Sequence, residues 1–261
     1  MPELPEVEQA AAIARAATVG RHIESVTLLH PALQRRTSEQ SLATLAGAIV
    51  ERVVRRGKHQ LVELADGRTI HVHFRMSGDW VVGASGAPVP PHARATISLS
   101  DGARLVLVDP RALATLTVHE VGGSPLPELG PEPSDPGLTR ESLRGALRGR
   151  RGPIKPVLLD QRIIAGVGNI YASEALWLAR ISPRAKASSL GPQRLKRLLD
   201  AIRRVLGPAG RPPGRYRATA GVRSWAVYDR EGRPCRRCGR RVSRIVQAGR
   251  STYFCRTCQR G

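Results

Sequence analysis

The sequence predicts an α+β protein: an N-terminal β-sandwich with a helix at its start, a helical middle and a small C-terminal hairpin finger. Three observations carry this. Short apolar runs separated by Asp-Gly turns fill residues 20–120, apolar residues recur at helical spacing beyond residue 139, and all four cysteines fall between residues 235 and 258.

Residues 6–17 place Val7, Ala10, Ala14 and Ala17 on one helical face. Strands are predicted at 49–50, 60–64, 69–74, 80–82, 95–99 and 105–108, with 65–68 and 100–103 as hairpin turns carrying Asp-Gly. Many short strands at this spacing argue a sandwich or barrel-like domain. Five prolines and four glycines between Gly122 and Gly137 mark a linker. Thr139 is placed to cap a helix running to about Leu147. Pro192 opens another, with Leu195, Leu198, Leu199, Ile202, Val205 and Leu206 at i, i+3, i+4 spacing. Gly207–Gly214 reads as a second linker. The expected division is therefore 1–121, a linker over 122–138, 139–214 and 215–261.

The net charge of +21 is lopsided. Residues 1–130 net zero, residues 131–210 net +9 and residues 211–261 net +12. Such a half is suited to a polyanion. A disordered basic tail is disfavoured by the four cysteines inside it, and an acidic lipid surface by the lack of a basic amphipathic face bearing large apolar residues. Nucleic acid is the expected partner. Only four of the 42 basic residues are lysines, Lys58, Lys155, Lys186 and Lys196, so each stands out as a compact point charge among arginine forks. No apolar run is long enough to span a bilayer and no leader-like start is present, so a cytoplasmic protein is expected.

Cys235-x2-Cys238, sixteen residues, then Cys255-x2-Cys258 is four-cysteine zinc spacing. Each pair can sit on a tight turn and aim two thiolates at one tetrahedral ion. Two disulfides or a redox pair are the alternatives; a cytoplasmic setting and the paired spacing favour one structural zinc. Arg240, Arg241, Arg244 and Arg250 lie between the pairs, on what reads as a β-hairpin facing phosphate or stacked bases.

The start, Met1-Pro2-Glu3-Leu4-Pro5-Glu6-Val7-Glu8, has two readings. One is a helix start with prolines and acidic residues in its first turn. The other is chemical. Removal of Met1 would free the Pro2 secondary amine, which titrates near ~8 and is partly nucleophilic at neutral pH, with Glu3 beside it for proton transfer. In the stretch 158–176, Gly166 and Gly168 bracket a turn and Asn169 is expected to cap a helix beginning at Ile170. That turn reads either as a helix–turn–helix corner or as an anion site made of backbone N–H groups, with phosphate as the anion.

Pro2–Glu8, the Asp160–Glu174 stretch and the C-terminal finger, in this order, resemble the formamidopyrimidine-DNA glycosylase / endonuclease VIII family of bifunctional base-excision repair enzymes. The resemblance covers essentially the whole chain. It implies a helix-two-turn-helix DNA-binding domain over 139–214, a zinc finger over 215–261, a bacterial nucleoid-associated monomer, and damaged duplex DNA as substrate. It implies that the Pro2 amine attacks C1′ of the damaged nucleotide, that Glu3 is the neighbouring acid/base, and that Lys58 on a β-hairpin aids catalysis. His73, Asn169 and Arg250 match phosphate-clamping groups, and Glu174 a carboxylate near the lesion pocket. Met76 and Arg111 match residues that fill the void and meet the orphaned base, although alone they read as a core methionine and a turn arginine. Glu174 alone reads as a helix-surface charge.

Departures leave the lesion open. Asp109-Pro110-Arg111 continues as Ala112-Leu113-Ala114 where oxidised-purine enzymes carry Arg-Phe-Gly, so Leu113 is the expected wedge. Arg75 stands where glycine is usual, and Arg217–Val227 is shorter than the segment holding the 8-oxoguanine loop. Oxidised purines and oxidised pyrimidines are both admissible substrates. The competing function is a catalytically idle zinc protein that binds damaged DNA.

Overall fold

The protein is described here by a computed structural model covering residues 1–35, 37–123, 125–207 and 225–260. The chain forms two compact units, Met1–Pro2 with Glu6–Pro127, and Glu3–Pro5 with Glu128–Gly261.

In the first unit, helix α1 (Leu4–Thr18) leads into β1 (Ile23–Leu28), the short helices α2 (Pro31–Gln34) and α3 (Glu39–Ala43), and strands β2 (Val50–Arg56), β3 (His59–Leu64), β4 (Thr69–His73), β5 (Asp79–Ala84), β6 (Ala93–Leu99), β7 (Ala103–Val108) and β8 (Thr115–His119). They make two four-stranded sheets, ordered β1-β6-β7-β5 and β2-β3-β4-β8, with every pairing antiparallel. The sandwich core joins Leu64, Ile70, Trp80, Ile97, Leu105 and Leu116 to Val7, Ala10, Ala11 and Ala14 of α1. Alanines on that helical face allow a close approach, and Glu8 ties α1 to β2 by accepting from Arg55 Nε at 2.6 Å.

Strands β1 and β8 were not expected, and β2 runs well beyond 49–50. In β1 only Ile23 and Leu28 are fully buried, so no alternation marks it. In β2 four of the five partly solvent-facing positions are charged, Glu51, Arg52, Arg55 and Arg56, and Arg52 pairs across the sheet with Glu63. Cross-strand charge satisfies what apolar patterning leaves unmarked.

The second unit contains α4 (Arg140–Leu147), α5 (Ile154–Leu158), α6 (Asn169–Leu178), a 3-10 turn over Ala187–Ser189, α7 (Pro192–Leu206) and the hairpin β9 (Ser243–Gln247) and β10 (Arg250–Phe254). Thr139 caps α4 as expected. Its hydroxyl accepts from Ser142 N at 3.1 Å, and Ser142 Oγ accepts from Thr139 N at 2.8 Å. The apolar face of α7 buries Leu195, Leu198, Leu199, Ile202 and Leu206 in a core shared with Leu143, Ile154, Ile170 and Leu176.

The proline-rich stretch expected as a linker is pinned from Glu128 onward. Gly130 N donates to Gln161 O at 2.9 Å and Ala165 N to Pro131 O at 3.0 Å, and a Cβ on Gly130 would collide with the Arg162 carbonyl. Prolines here fix the chain against another loop, which composition alone does not reveal. The segment Arg217–Val227 and the linker Gly207–Gly214 fall largely outside the described residues. Among the described residues no helix is long and apolar enough to cross a membrane.

Candidate active site

In the second unit the carboxylate of Glu3, 1% exposed, sits on the N-terminus of α6. It accepts from Ile170 N at 2.9 Å and from Tyr171 N at 3.3 Å. The anion expected at this turn is thus the protein's own, and the backbone groups read as a phosphate site are occupied by Glu3. Asn169 is not the cap either. The helix begins at Asn169 with Gly168 as N-cap and no side-chain cap bond from that residue. A carboxylate from 167 positions away does the capping, favoured by the positive end of the helix dipole.

The turn before α6 is shaped for this contact. Gln161 holds it from within, donating to Leu159 O and Val167 O and accepting from Gly166 N at 2.9 Å. A Cβ at Gly168 would lie 2.5 Å from both Glu3 carboxylate oxygens, so only glycine lets the carboxylate in. Gly166 combines φ +90° with close contact to Leu4.

Asn169 instead joins a buried network. Lys155, 1% exposed, donates from Nζ to Asn169 Oδ1, to Thr252 Oγ1 at 2.8 Å and to Ser251 O at 3.2 Å. Asn169 Nδ2 donates to Ser251 O at 3.1 Å. These bonds tie α5 and α6 to the strand that Arg250 opens. Burial pushes the Lys155 ammonium down to about 8, opposed by the negative charge of Glu3 and assisted by Arg250. Three acceptors around one nitrogen still match the three donors of an ammonium. Lys155 received no role from the sequence; the one signal for it was its rarity as a lysine among arginines.

Glu174 is buried, not a helix-surface charge. It accepts from Ala226 N at 2.8 Å and from Val227 N and Tyr228 N at 2.9 Å each. Burial raises its pKa against the pull of those three bonds. It anchors the turn that enters the finger.

In the first unit, Lys58 lies at the tip of the β2–β3 hairpin, in a two-residue turn closed by the Arg56–His59 pair. Gly57 has φ +59° there, the conformation such turns favour in glycine. Lys58 is nearly buried. His73 pairs with His59 across the sheet, their rings edge to face at 4.6 Å, and His59 Nδ1 meets His71 Nε2 at 2.8 Å. His73 Nδ1 accepts from Arg75 N at 3.0 Å, which puts the proton of the neutral ring on Nε2. Burial first, then the neighbouring His59, Arg75, His71 and Lys58, push His73 down to about 3. At neutral pH it is an uncharged N–H donor.

Met76 and Leu113 are 40% and 42% exposed, so Met76 is not a core methionine. Arg111, two positions before Leu113, is exposed as well. Asp109, fully buried, organises both loops. It accepts from Arg111 N at 3.2 Å, Leu113 N at 2.6 Å and Ala114 N at 2.8 Å, and from the Ser77 hydroxyl. Ala112 adopts φ +50° in this turn and Arg75 φ +53° in the other. Sequence reading missed Asp109, whose importance lies in four contacts that no spacing encodes. Pro2 is buried directly before Glu3.

The four cysteine sulfurs lie within 4.8 Å of one another. Tetrahedral zinc with Zn–S near 2.3 Å needs sulfurs about 3.8 Å apart, so the set fits the ion. Crowding agrees: burial and the other three sulfurs push Cys258 up to about 12, a cost that a divalent cation removes. With four protein ligands the coordination sphere is closed and the metal is structural. Gly239 at φ +71° turns the first pair, and Ala248 and Gly249, at φ +46° and +70°, make the hairpin tip before the exposed Arg250.

A β-sandwich with an N-terminal helix, a helical unit whose key turn receives Glu3, and a four-cysteine hairpin together define a zinc-bearing enzyme of base-excision repair type. Family models agree along the chain: formamidopyrimidine-DNA glycosylase N-terminal domain over residues 1–116, formamidopyrimidine-DNA glycosylase H2TH domain over 129–211, and the zinc finger found in FPG and IleRS over 232–261. The chain belongs to the formamidopyrimidine-DNA glycosylase family. It is 38% identical over 275 residues to the formamidopyrimidine-DNA glycosylase of Rhizorhabdus wittichii, covering all of both chains. It is 40% identical over 273 residues to that of Chloroflexus aurantiacus, covering 99% of this chain and 98% of the relative. Among solved structures, Lactococcus lactis Fpg with abasic-site DNA matches at TM-score 0.89 and 31% identity, covering 99% of this chain and all of the other. MutM with DNA containing carbocyclic 8-oxo-G matches at 0.88 and 32%, covering both fully. The wild-type L. lactis enzyme with DNA containing an oxidised pyrimidine matches at 0.90 and 32%, again covering both fully.

Proposed function

We propose that this protein is a bifunctional DNA glycosylase and abasic-site lyase that removes oxidised bases from duplex DNA through the amine of Pro2. The observation that carries the reading is the docking of Glu3. A carboxylate held by two helix N–H bonds fixes the residue covalently joined to Pro2, so the amine released by loss of Met1 has a set position. In the reaction the Pro2 nitrogen lone pair forms a bond to C1′, and the glycosidic bond breaks with its electron pair leaving on the base. The C1′–O4′ bond then breaks as the amine proton passes to O4′, leaving an iminium joined to the opened sugar. Loss of the C2′ proton drives β-elimination of the 3′ phosphate, and δ-elimination releases the 5′ phosphate. Glu3 is the proton-transfer group and Lys58 a cation beside the strand backbone.

Chemistry at C1′ requires an everted nucleotide. His73 donates from Nε2 to a phosphate, Arg250 pairs with another, and Asn169 orients a third contact with the amide hydrogen it has left. Met76, Arg111 and Leu113 fill the space the nucleotide leaves, held by Asp109. Glu174 lies near the lesion pocket through the turn it anchors. Relatives solved with abasic-site, 8-oxo-G and oxidised-pyrimidine DNA support a lesion range spanning both base classes.

Borohydride trapping on an abasic-site duplex tests the reading. Protein beginning at Pro2 should give a covalent adduct and strand cleavage. A protein that binds the duplex but yields no adduct would be the idle damaged-DNA binder instead.

A further inference from the structure

The zinc centre is gripped from outside its four cysteines. Trp177, near the C-terminal end of α6, donates from its indole Nε1 to Cys235 Sγ at 3.4 Å. Its backbone carbonyl accepts from Arg237 Nη1 at 3.0 Å, and the Arg237 guanidinium lies over its ring, 4.1 Å from the centroid. Cys235 and Arg237 belong to the same C-x-x-C turn. Three contacts therefore clamp that turn to a single residue of the helix whose other end receives Glu3.

The chemistry is directional. An indole N–H only donates, and a sulfur accepts far better as a metal-bound thiolate than as a thiol. Donation to the sulfur spreads its charge and fixes its orientation toward the ion. The Arg237 guanidinium two residues on stacks on the ring and holds the indole in place, while the Arg237 backbone N–H donates to the same sulfur at 3.5 Å. Neither side chain is needed to complete the coordination sphere, nor does either serve the proposed chemistry at C1′.

We propose that Trp177 is a positioning residue of the zinc centre, which holds the Cys235 thiolate through its indole N–H and so makes metal retention depend on helix α6. Groups that hydrogen-bond a metal ligand typically change metal affinity by about 10–100-fold. Loss of Cys235 from this grip frees the first turn of the finger while the other turn stays in place.

The test uses Trp177→Phe, which keeps an aromatic platform for Arg237 and removes the N–H together with part of the indole ring. Zinc-loaded wild-type and variant proteins are mixed with excess chromogenic chelator and the release of zinc is timed. The variant should release zinc about tenfold faster. In cobalt-substituted protein its sulfur-to-metal charge-transfer band should move to lower energy, a change that mere loosening of packing does not produce. Arg237→Gln, with the indole bond intact, should accelerate release less and leave the band in place. It also decides the matter if Trp177→Phe fails to fold: wild-type release by Arg237→Gln would then overturn the clamp. Trp177→Phe protein with wild-type release and an unshifted band overturns the proposal outright. A wild-type protein without zinc is a different result and would overturn the metal centre itself.

Discussion

Replacing Gly168 with alanine probes the site with one methyl group. Gly168 has φ −130°, a conformation open to any residue, so the backbone accepts alanine without strain. The methyl would stand 2.5 Å from both oxygens of Glu3, where ordinary contacts begin near 3.4 Å. The carboxylate must therefore retreat by about 1 Å, which breaks or stretches its bonds to Ile170 N and Tyr171 N. Misplacement on this scale costs on the order of 100-fold in rate. Weakening two bonds to a charged acceptor costs about 2–3 kcal/mol of stability. Single-turnover cleavage of a duplex with one oxidised base, measured alongside zinc content and thermal unfolding, reads both effects. Gly145→Ala is the control, since nothing lies within 4 Å of the Cβ it would add. It should cleave at the wild-type rate. A Gly168→Ala protein within threefold of wild type would refute the idea that the docked Glu3 sets the chemistry.

Further outcomes follow from other contacts. Asp109→Asn presents an amide to N–H groups that need an acceptor, so it should lower stability by about 3 kcal/mol and abolish the fluorescence change of a reporter base opposite the lesion; wild-type unfolding and reporter signal would count against the shared brace. Burial, with Arg75, Lys58 and Arg56 facing His59, and with His59, His119 and Arg75 facing His71, pushes both rings down to about 4, while His73 falls to about 3. Their stabilising contribution is thus complete above 6.5 and is lost as pH falls toward 4, because the unfolded chain takes up protons the folded one refuses. Unfolding near pH 5 should take up on the order of three protons, seen as a falling midpoint in urea titrations; a flat profile from pH 7 to 4.5 contradicts it. Chelating zinc should weaken duplex binding while leaving the sandwich transition unchanged, and unaltered affinity after verified metal loss would remove the finger from the DNA contact.

What the sequence discloses and what it hides follows the range of the interactions. The cysteine spacing, the α7 stripe and the Thr139 cap are local patterns, and each is borne out. Strand β1 escaped because its buried residues stand only at its ends. Contacts of the site escaped for a different reason. Glu3 caps a helix 167 positions away, Lys155 reaches Thr252 across 97, and Trp177 meets Cys235 across 58. No periodicity links such pairs. Asn169 shows the converse error: its residue type favours capping, but a distant carboxylate occupies the helix end and frees the asparagine for Lys155. The resemblance supplied residues; the fold supplied what holds them.

Lys155 is the chemical rival to Pro2, because burial brings it down to about 8, close to an α-amino group. Its nitrogen is committed to three acceptors, so an attack by it would forfeit those hydrogen bonds. Peptide mapping by mass spectrometry of the borohydride-reduced adduct decides between them. The reduced sugar should be found on the nitrogen of Pro2 at the N-terminus of a protein lacking Met1, with Lys58 and Lys155 unmodified. An adduct on either lysine, or one formed equally by protein retaining Met1, would contradict amine catalysis by Pro2.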